Sequence, residues 1–181
     1  ADESQVISHA ITLLQDPVYW RSVDGTTIGP LNNYLLVLPG LLGLPINYVS
    51  TRILGLLCTM GALFFFWKTA KGLYDNRTAH LVTLFPLFLL SFTYHPDFLH
   101  YSSEQLPLLL LAVTLYFVTK LYQSKGTNAK YAYWVGGFAG LVPFAKLQAV
   151  PPALVFSFGA FWLCMESVKW YNNYRSLIAL L

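Results

Sequence analysis

Charge is what this chain has least of: eleven basic and eight acidic residues in 181 make 10% charged, where an ordinary soluble domain carries about 25%. So little charge argues against a water-soluble globule of this length, whose surface needs far more polar cover. Cysteine is equally sparse. Cys58 and Cys164 both fall inside apolar runs, which excludes a disulfide framework. No basic run interleaved with aromatics is present, so the net charge of +3 gives no reason to expect nucleic acid as a partner. No internal repeat or low-complexity linker divides the chain further.

What fills the sequence instead is apolar: 56% of residues are hydrophobic and 17% aromatic. Uncharged runs of 15 residues separate Arg52 from Lys68, Glu104 from Lys120 and Lys130 from Lys146, and runs of 19 separate Arg77 from Asp97 and Lys146 from Glu166. Fifteen helical residues rise only about 22 Å against a hydrocarbon core of about 30 Å, so the shorter runs must borrow uncharged flanks or let terminal Lys and Arg snorkel. Tyr48, Trp67, Tyr94, Tyr101, Tyr122, Tyr131 and Tyr133 stand near run ends, as aromatic residues do at membrane interfaces. The competing reading is a soluble bundle of buried helices, but Ile53–Trp67 is apolar on all faces and a small protein cannot bury five such helices. The expectation is therefore an all-α polytopic transmembrane bundle of about five spans over residues 49–181. The fourth span is interrupted by Gly136, Gly137, Gly140 and Pro143.

Basic residues provide an independent guide, because they concentrate in cytoplasmic loops. With the N-terminal stretch outside, the inner loops collect Lys68, Lys71, Arg77, Lys120, Lys125, Lys130, Lys169 and Arg175, leaving Arg21, Arg52 and Lys146 outside. Six of the eight acids, Asp2, Glu3, Asp16, Asp24, Asp97 and Glu104, fall on the outer side. The chain reads as a piece of a longer membrane protein, since Ala1 would be delivered outside by something upstream and Ser176–Leu181 starts a further apolar run.

Residues 1–48 form the expected first external loop. Val6, Ile7, Ala10, Ile11 and Leu14 share one side at helical spacing, with Ser4, Ser8, Thr12 and Gln15 opposite, which predicts an interfacial helix over 4–15. Asp16-Pro17 ends it, because a residue before proline disfavours the helical region. Asp24-Gly25 marks a turn, and Pro30 opens a second interfacial helix over Leu31 to Leu38, broken up by Pro39, Gly40, Gly43 and Pro45.

These features together resemble the GT-C glycosyltransferases, in the branch of protein O-mannosyltransferases and the lipid A aminoarabinose transferase. The resemblance rests on the Asp2-Glu3 pair opening an amphipathic helix, the loop ending in Gly29-Pro30-Leu31 where many relatives have two prolines, the Arg52-led span, Tyr101-Ser-Ser-Glu104 in the second external loop where several relatives have Asp, and Gly137-Phe-Ala-Gly-Leu-Val-Pro-Phe-Ala-Lys146. It implies a membrane enzyme, in the plasma or bacterial inner membrane, that passes a hexosyl or pentosyl group from a polyprenyl-phosphate donor to a lipid, glycan or protein acceptor on the extracytoplasmic face. Asp2 matches the family's catalytic Asp. Metal dependence is left open.

The residues give the same chemistry its parts: a carboxylate to take the acceptor's proton, a cation for the departing phosphate and a lipid-accessible groove. Asp2 and Glu104 are the candidate catalytic acids, each with a simpler role as a helix-start residue. Lys146, at membrane depth, is the candidate phosphate contact, with Arg52 and Glu3 as further substrate-binding candidates; plain snorkelling is the alternative for Lys146. His95, Asp97 and His100 match no metal-site spacing and read as loop residues, so no metal ligand is assigned. Asn76-Arg77-Thr78 fits a glycosylation pattern but falls on the inner side. A transporter or flippase would place its polar groups near the midplane instead, and a non-catalytic subunit would tolerate loss of Asp2.

Overall fold

The computed structural model describes residues 3–25, 28–93, 100–171 and 174–180; Asp2, His95 and Asp97 lie outside them. Eight α-helices are formed among these residues: α1 Glu3–Gln15, α2 Pro30–Leu41, α3 Tyr48–Leu73, α4 Asn76–Phe92, α5 Gln105–Gln123, α6 Ala129–Ala145, α7 Val150–Tyr171 and α8 Arg175–Leu180. No β-strand occurs among them, although an isolated antiparallel bridge joins Ile28 to Lys146. Three segments, Tyr48–Leu73, Gln105–Gln123 and Leu147–Lys169, are long and apolar enough to cross a membrane. Helices α4 and α6 are shorter, at 17 residues each.

Local chemistry sets the helix ends. Asn47 Oδ1 accepts from the N–H groups of Val49 and Ser50 at 3.0 Å while Ser50 Oγ accepts from Asn47 N, a capping box that fixes the start of α3. Asp75 caps α4 through Arg77 N and Thr78 N, and the Thr78 hydroxyl, together with these backbone bonds, holds its carboxyl below the usual range.

At α2 the expected break at Pro39 does not occur. The helix runs through Pro39 to Leu41 because so close to its end a proline forfeits few backbone bonds. Gly43 makes the stop, at φ +75: Leu44 N bonds Pro39 O at 2.9 Å and Gly43 N bonds Gly40 O at 3.1 Å, a left-handed closure that glycine adopts without strain. The glycines of α6 likewise leave that helix continuous.

The amphipathic stripe of α1 is rotated from expectation. Val6, Ile7, Ala10 and Leu13 are buried, whereas Ile11 and Leu14 are more than two-fifths exposed. Its buried side joins Tyr19, Val23, Ile28, Leu36 and Val37 in one cluster, which also takes in Tyr101 from the segment before α5. The buried residues of α1 and α2 and of the described stretch between them therefore form one packed layer, more than two separate surface helices.

Helices α3 and α5 run parallel, since Gly55 lies against Gln105 and Gly72 against Gln123, with α4 returning between them in sequence. Gln123 Nε2 donates to Gly72 O at 2.5 Å. Helices α6 and α7 complete the bundle through two further clusters, one around Leu110, Val142 and Ala153 and one around Leu121, Val135 and Cys164. These directions bring the starts of α3, α5 and α7 and the end of α6 to one end of the molecule. Lys68 and Lys71 at the end of α3, Arg77 at the start of α4, Lys120 and Lys125 around the end of α5, Lys130 at the start of α6 and Lys169 at the end of α7 belong to the opposite end. Large apolar side chains stay exposed along the bundle, among them Leu57, Met60, Phe85, Phe88, Val155 and Phe158, the surface expected of helices in lipid.

Candidate functional site

At the acidic end of the bundle, four sequence-selected residues come together as two charged pairs. Glu3, in the first turn of α1, is almost fully buried and accepts from Arg52 Nε at 3.1 Å and Nη2 at 2.9 Å. A third bond reaches Glu3 Oε1 from the Tyr101 backbone N–H at 3.0 Å. Burial disfavours the charged form of Glu3, but the guanidinium and the Tyr101 N–H outweigh it and hold the carboxyl below its ordinary range. Arg52 is aligned from its other side by the Tyr48 ring, with Cζ 5.7 Å from the ring centroid.

Lys146 follows the last residue of α6 in extended conformation, with its side chain 8% exposed. Its Nζ donates to Ser103 Oγ at 3.0 Å and to Glu104. Glu104 precedes α5 with its side chain 64% exposed and caps nothing. The two pairs are thus complementary: a buried acid with a half-exposed base, and a buried base with an exposed acid.

Neutral groups missed by sequence reasoning join the pairs. Tyr101 OH donates to Asn32 Oδ1 at 2.7 Å, and Asn32 Nδ2 donates to Ser103 O at 2.8 Å and Ala145 O at 3.2 Å. A continuous path of hydrogen bonds and backbone therefore runs from Arg52 through Glu3, Tyr101, Asn32 and Ser103 to Lys146 and Glu104. Beside it, Asn33 Nδ2 donates to Tyr19 OH, which donates to Ile28 O at 2.7 Å. Burial pushes the Tyr19 and Tyr101 hydroxyls up, so both are neutral donors. Two amides side by side in an otherwise apolar helix were the available signal, because buried amides are for the most part hydrogen-bonded.

Glycine makes the docking possible. Gly29 N donates to Ala145 O at 2.9 Å, and a Cβ at Gly29 would run into the Phe144 carbonyl. A proline in its place would lose that bond as well as collide.

Chemically, Glu3 is spent: two bonds to Arg52 and one to Tyr101 leave a weakly basic carboxylate that serves to position Arg52. Glu104 is exposed, with Lys146 as its ion-pair partner. An anion arriving at Lys146 would find the ammonium and the Ser103 hydroxyl already oriented. Asp2, one residue before Glu3, lies outside the described residues. Among the described residues no three His, Cys, Asp or Glu side chains gather as a metal site.

Two apolar clefts open along the bundle. One of about 590 Å³ between α6 and α7, with Leu180 of α8 also in its wall, is lined by Gly140, Pro143, Val150, Leu154 and Phe158; Pro143 and Val150 bracket the turn that carries Lys146. The other, of about 360 Å³, lies among α3, α4 and α5, with Thr59, Phe66, Pro86 and Leu111 in its walls.

No family model matches the chain, and neither a curated protein nor a solved structure does.

Proposed function

We propose that this chain is part of a GT-C-like membrane glycosyltransferase, which moves a sugar from a polyprenyl-phosphate donor to an acceptor hydroxyl at the extracytoplasmic face. In this reading α3 to α7 are five membrane crossings, residues 1–48 lie outside with α1 and α2 at the interface, and the eight basic residues face the cytoplasm. One observation carries it: a buried lysine with an exposed acidic partner, Lys146 with Glu104, sits within a turn of residues lining an apolar cleft. That is the combination a phosphate with a long apolar tail requires, a cation for the head and a lipid-accessible channel for the chain.

In the reaction, the acceptor oxygen attacks the anomeric carbon, the bond from that carbon to the phosphate oxygen breaks, and the phosphate leaves with the electron pair. Lys146 and Arg52 stabilise the charge gathering on that phosphate. The acceptor's proton passes to a carboxylate, for which Asp2 is the candidate by resemblance and Glu104 by exposure. Polar groups at one end of the bundle support an interfacial enzyme over a transporter, whose charges belong near the midplane.

The test is sugar release from a polyprenyl-phosphate sugar by the full-length protein. Lys146→Met deletes the cation and Gly140→Leu fills the cleft, and both should weaken donor use while the protein stays folded. Asp2→Asn should lower turnover at least a hundredfold. Release at the wild-type rate in all three variants would refute the assignment.

A further inference from the structure

At the opposite end of the bundle stand three lysines that no acid neutralises among the described residues. Lys68 Nζ stands 4.8 Å from the centroid of the Phe64 ring and 5.9 Å from that of Tyr116, and Lys120 Nζ stands 5.8 Å from the same Tyr116 ring. The two ammonium groups are thus no more than about 12 Å apart, by the sum of those distances. Lys71, one turn beyond Lys68, lies 5.1 Å from the Trp67 ring. The acids of this end are engaged elsewhere: Asp75 caps α4 and Glu166 accepts from Trp162 Nε1. Lys120 has a neutral contact with Gln123 Oε1 at 3.2 Å, and no carboxylate pairs with any of the three among the described residues.

The face leading to this cluster is an acyl-chain surface. Ile53, Leu57, Met60 and Phe64 follow one another at helical spacing along α3, each roughly half exposed. From Ile53 to Phe64 is eleven residues, about 16 Å of helix, which matches one leaflet of a hydrocarbon core about 30 Å thick. Aromatic rings at the end of that stripe lie against the ammonium groups, and each ring desolvates one side of its cation. Partly desolvated cations without counter-ions bind a phosphate more strongly than solvated surface lysines do.

We infer that Lys68, Lys71 and Lys120 form a headgroup site for an anionic phospholipid, whose acyl chains lie along the outer face of α3. The phosphate takes up ammonium donors left over from the ring contacts, and the chains cover Ile53 to Phe64. This site is at the far end from the polar network and stands whether or not the glycosyltransferase assignment holds. At about one kcal/mol for each basic residue near an anionic surface, three lysines give on the order of a hundredfold preference for an anionic over a zwitterionic lipid.

The experiment places the purified chain in phosphatidylcholine nanodiscs with and without phosphatidylglycerol, and reads bound lipid by native mass spectrometry and thermal stability by tryptophan emission. Phosphatidylglycerol should be retained and should raise Tm. K68Q/K71Q/K120Q should abolish both effects, whereas R77Q/K125Q/K130Q, which removes the same charge from the same end, should keep them. Lys68→Gln alone, a change too mild to unfold the bundle, should weaken retention about fivefold. Equal loss in both triple variants would overturn the site in favour of diffuse surface charge. Inorganic phosphate competing as well as the lipid would overturn it in favour of a free-phosphate site, and unchanged retention in Lys68→Gln would also refute it.

Discussion

The Asn32–Tyr101 hydrogen bond makes the sharpest test of how this end of the molecule is held. Both side chains are at most 3% exposed, and the bond is 2.7 Å long. Replacing Asn32 by the similarly sized Leu strands the Tyr101 hydroxyl and the Ser103 carbonyl, while the Ala145 carbonyl keeps its bond from Gly29 N. A buried polar group left unpaired costs about 1–3 kcal/mol, so Asn32→Leu should destabilise by about 2–4 kcal/mol. Tyr101→Phe strands only the Asn32 carbonyl oxygen and should cost about 1–2 kcal/mol.

The double variant is the informative one. Once both partners are gone neither is left orphaned, so its cost should fall short of the sum by about 1–2 kcal/mol. The assay is reversible unfolding in mixed detergent micelles followed by tryptophan emission, with a thermal shift of about 2–4 °C expected per kcal/mol at this chain length. Costs that add to within about 0.5 kcal/mol would refute the bond and, with it, the path linking Glu3 to Lys146.

Three further expectations follow from the same contacts. Because the Glu3 carboxyl is held below its ordinary value of 4.5, the unfolded chain binds more protons there; the wild type should be more stable than Glu3→Gln above that pH and lose the advantage as pH falls through the lowered native value, and a pH-independent difference in unfolding curves would contradict the pairing. Gly29→Ala should destabilise by about 1–3 kcal/mol through its collision with Phe144, and Gly29→Pro by more, since it also loses the bond to Ala145; wild-type melting in either would show that the loop is not docked there. For sidedness, a cysteine at exposed Val18 should react with an impermeant thiol reagent from outside while ones at Asn76 and Lys130 should not. The native Cys58 and Cys164 are buried and give little background, and equal labelling at all three sites would end the proposed orientation.

Much of the architecture needed only the linear order of charges and apolar residues. Runs such as Ile53–Trp67 have one low-energy solution in lipid, a helix that satisfies its own backbone, and Asn47, Asp75 and Pro30 mark helix starts by local chemistry alone. The helix over α1 was legible from its periodicity, as was the candidacy of Lys146 from the rarity of charge around it, whereas Glu3 and Glu104 were picked out mainly by the family resemblance and Arg52 by its place at the start of a span. Tertiary packing decided the rest. Which side of α1 is buried, Leu13 in place of Ile11 and Leu14, depends on where α2 and Tyr101 lie, and a stripe of apolar residues does not name its neighbour. Pro39 did not end α2 because the left-handed turn at Gly43 did, a choice set by the whole closing hydrogen-bond pattern. Glu3 paired with Arg52 and Glu104 with Lys146 only because α3 and α5 run parallel while α6 returns, so that residues 49 and 42 positions apart meet at one end. Asn32, Tyr101 and Ser103 carry no charge to single them out, and their value is purely geometric: a buried amide is worth having only where folding delivers a hydroxyl and two carbonyls to its edges.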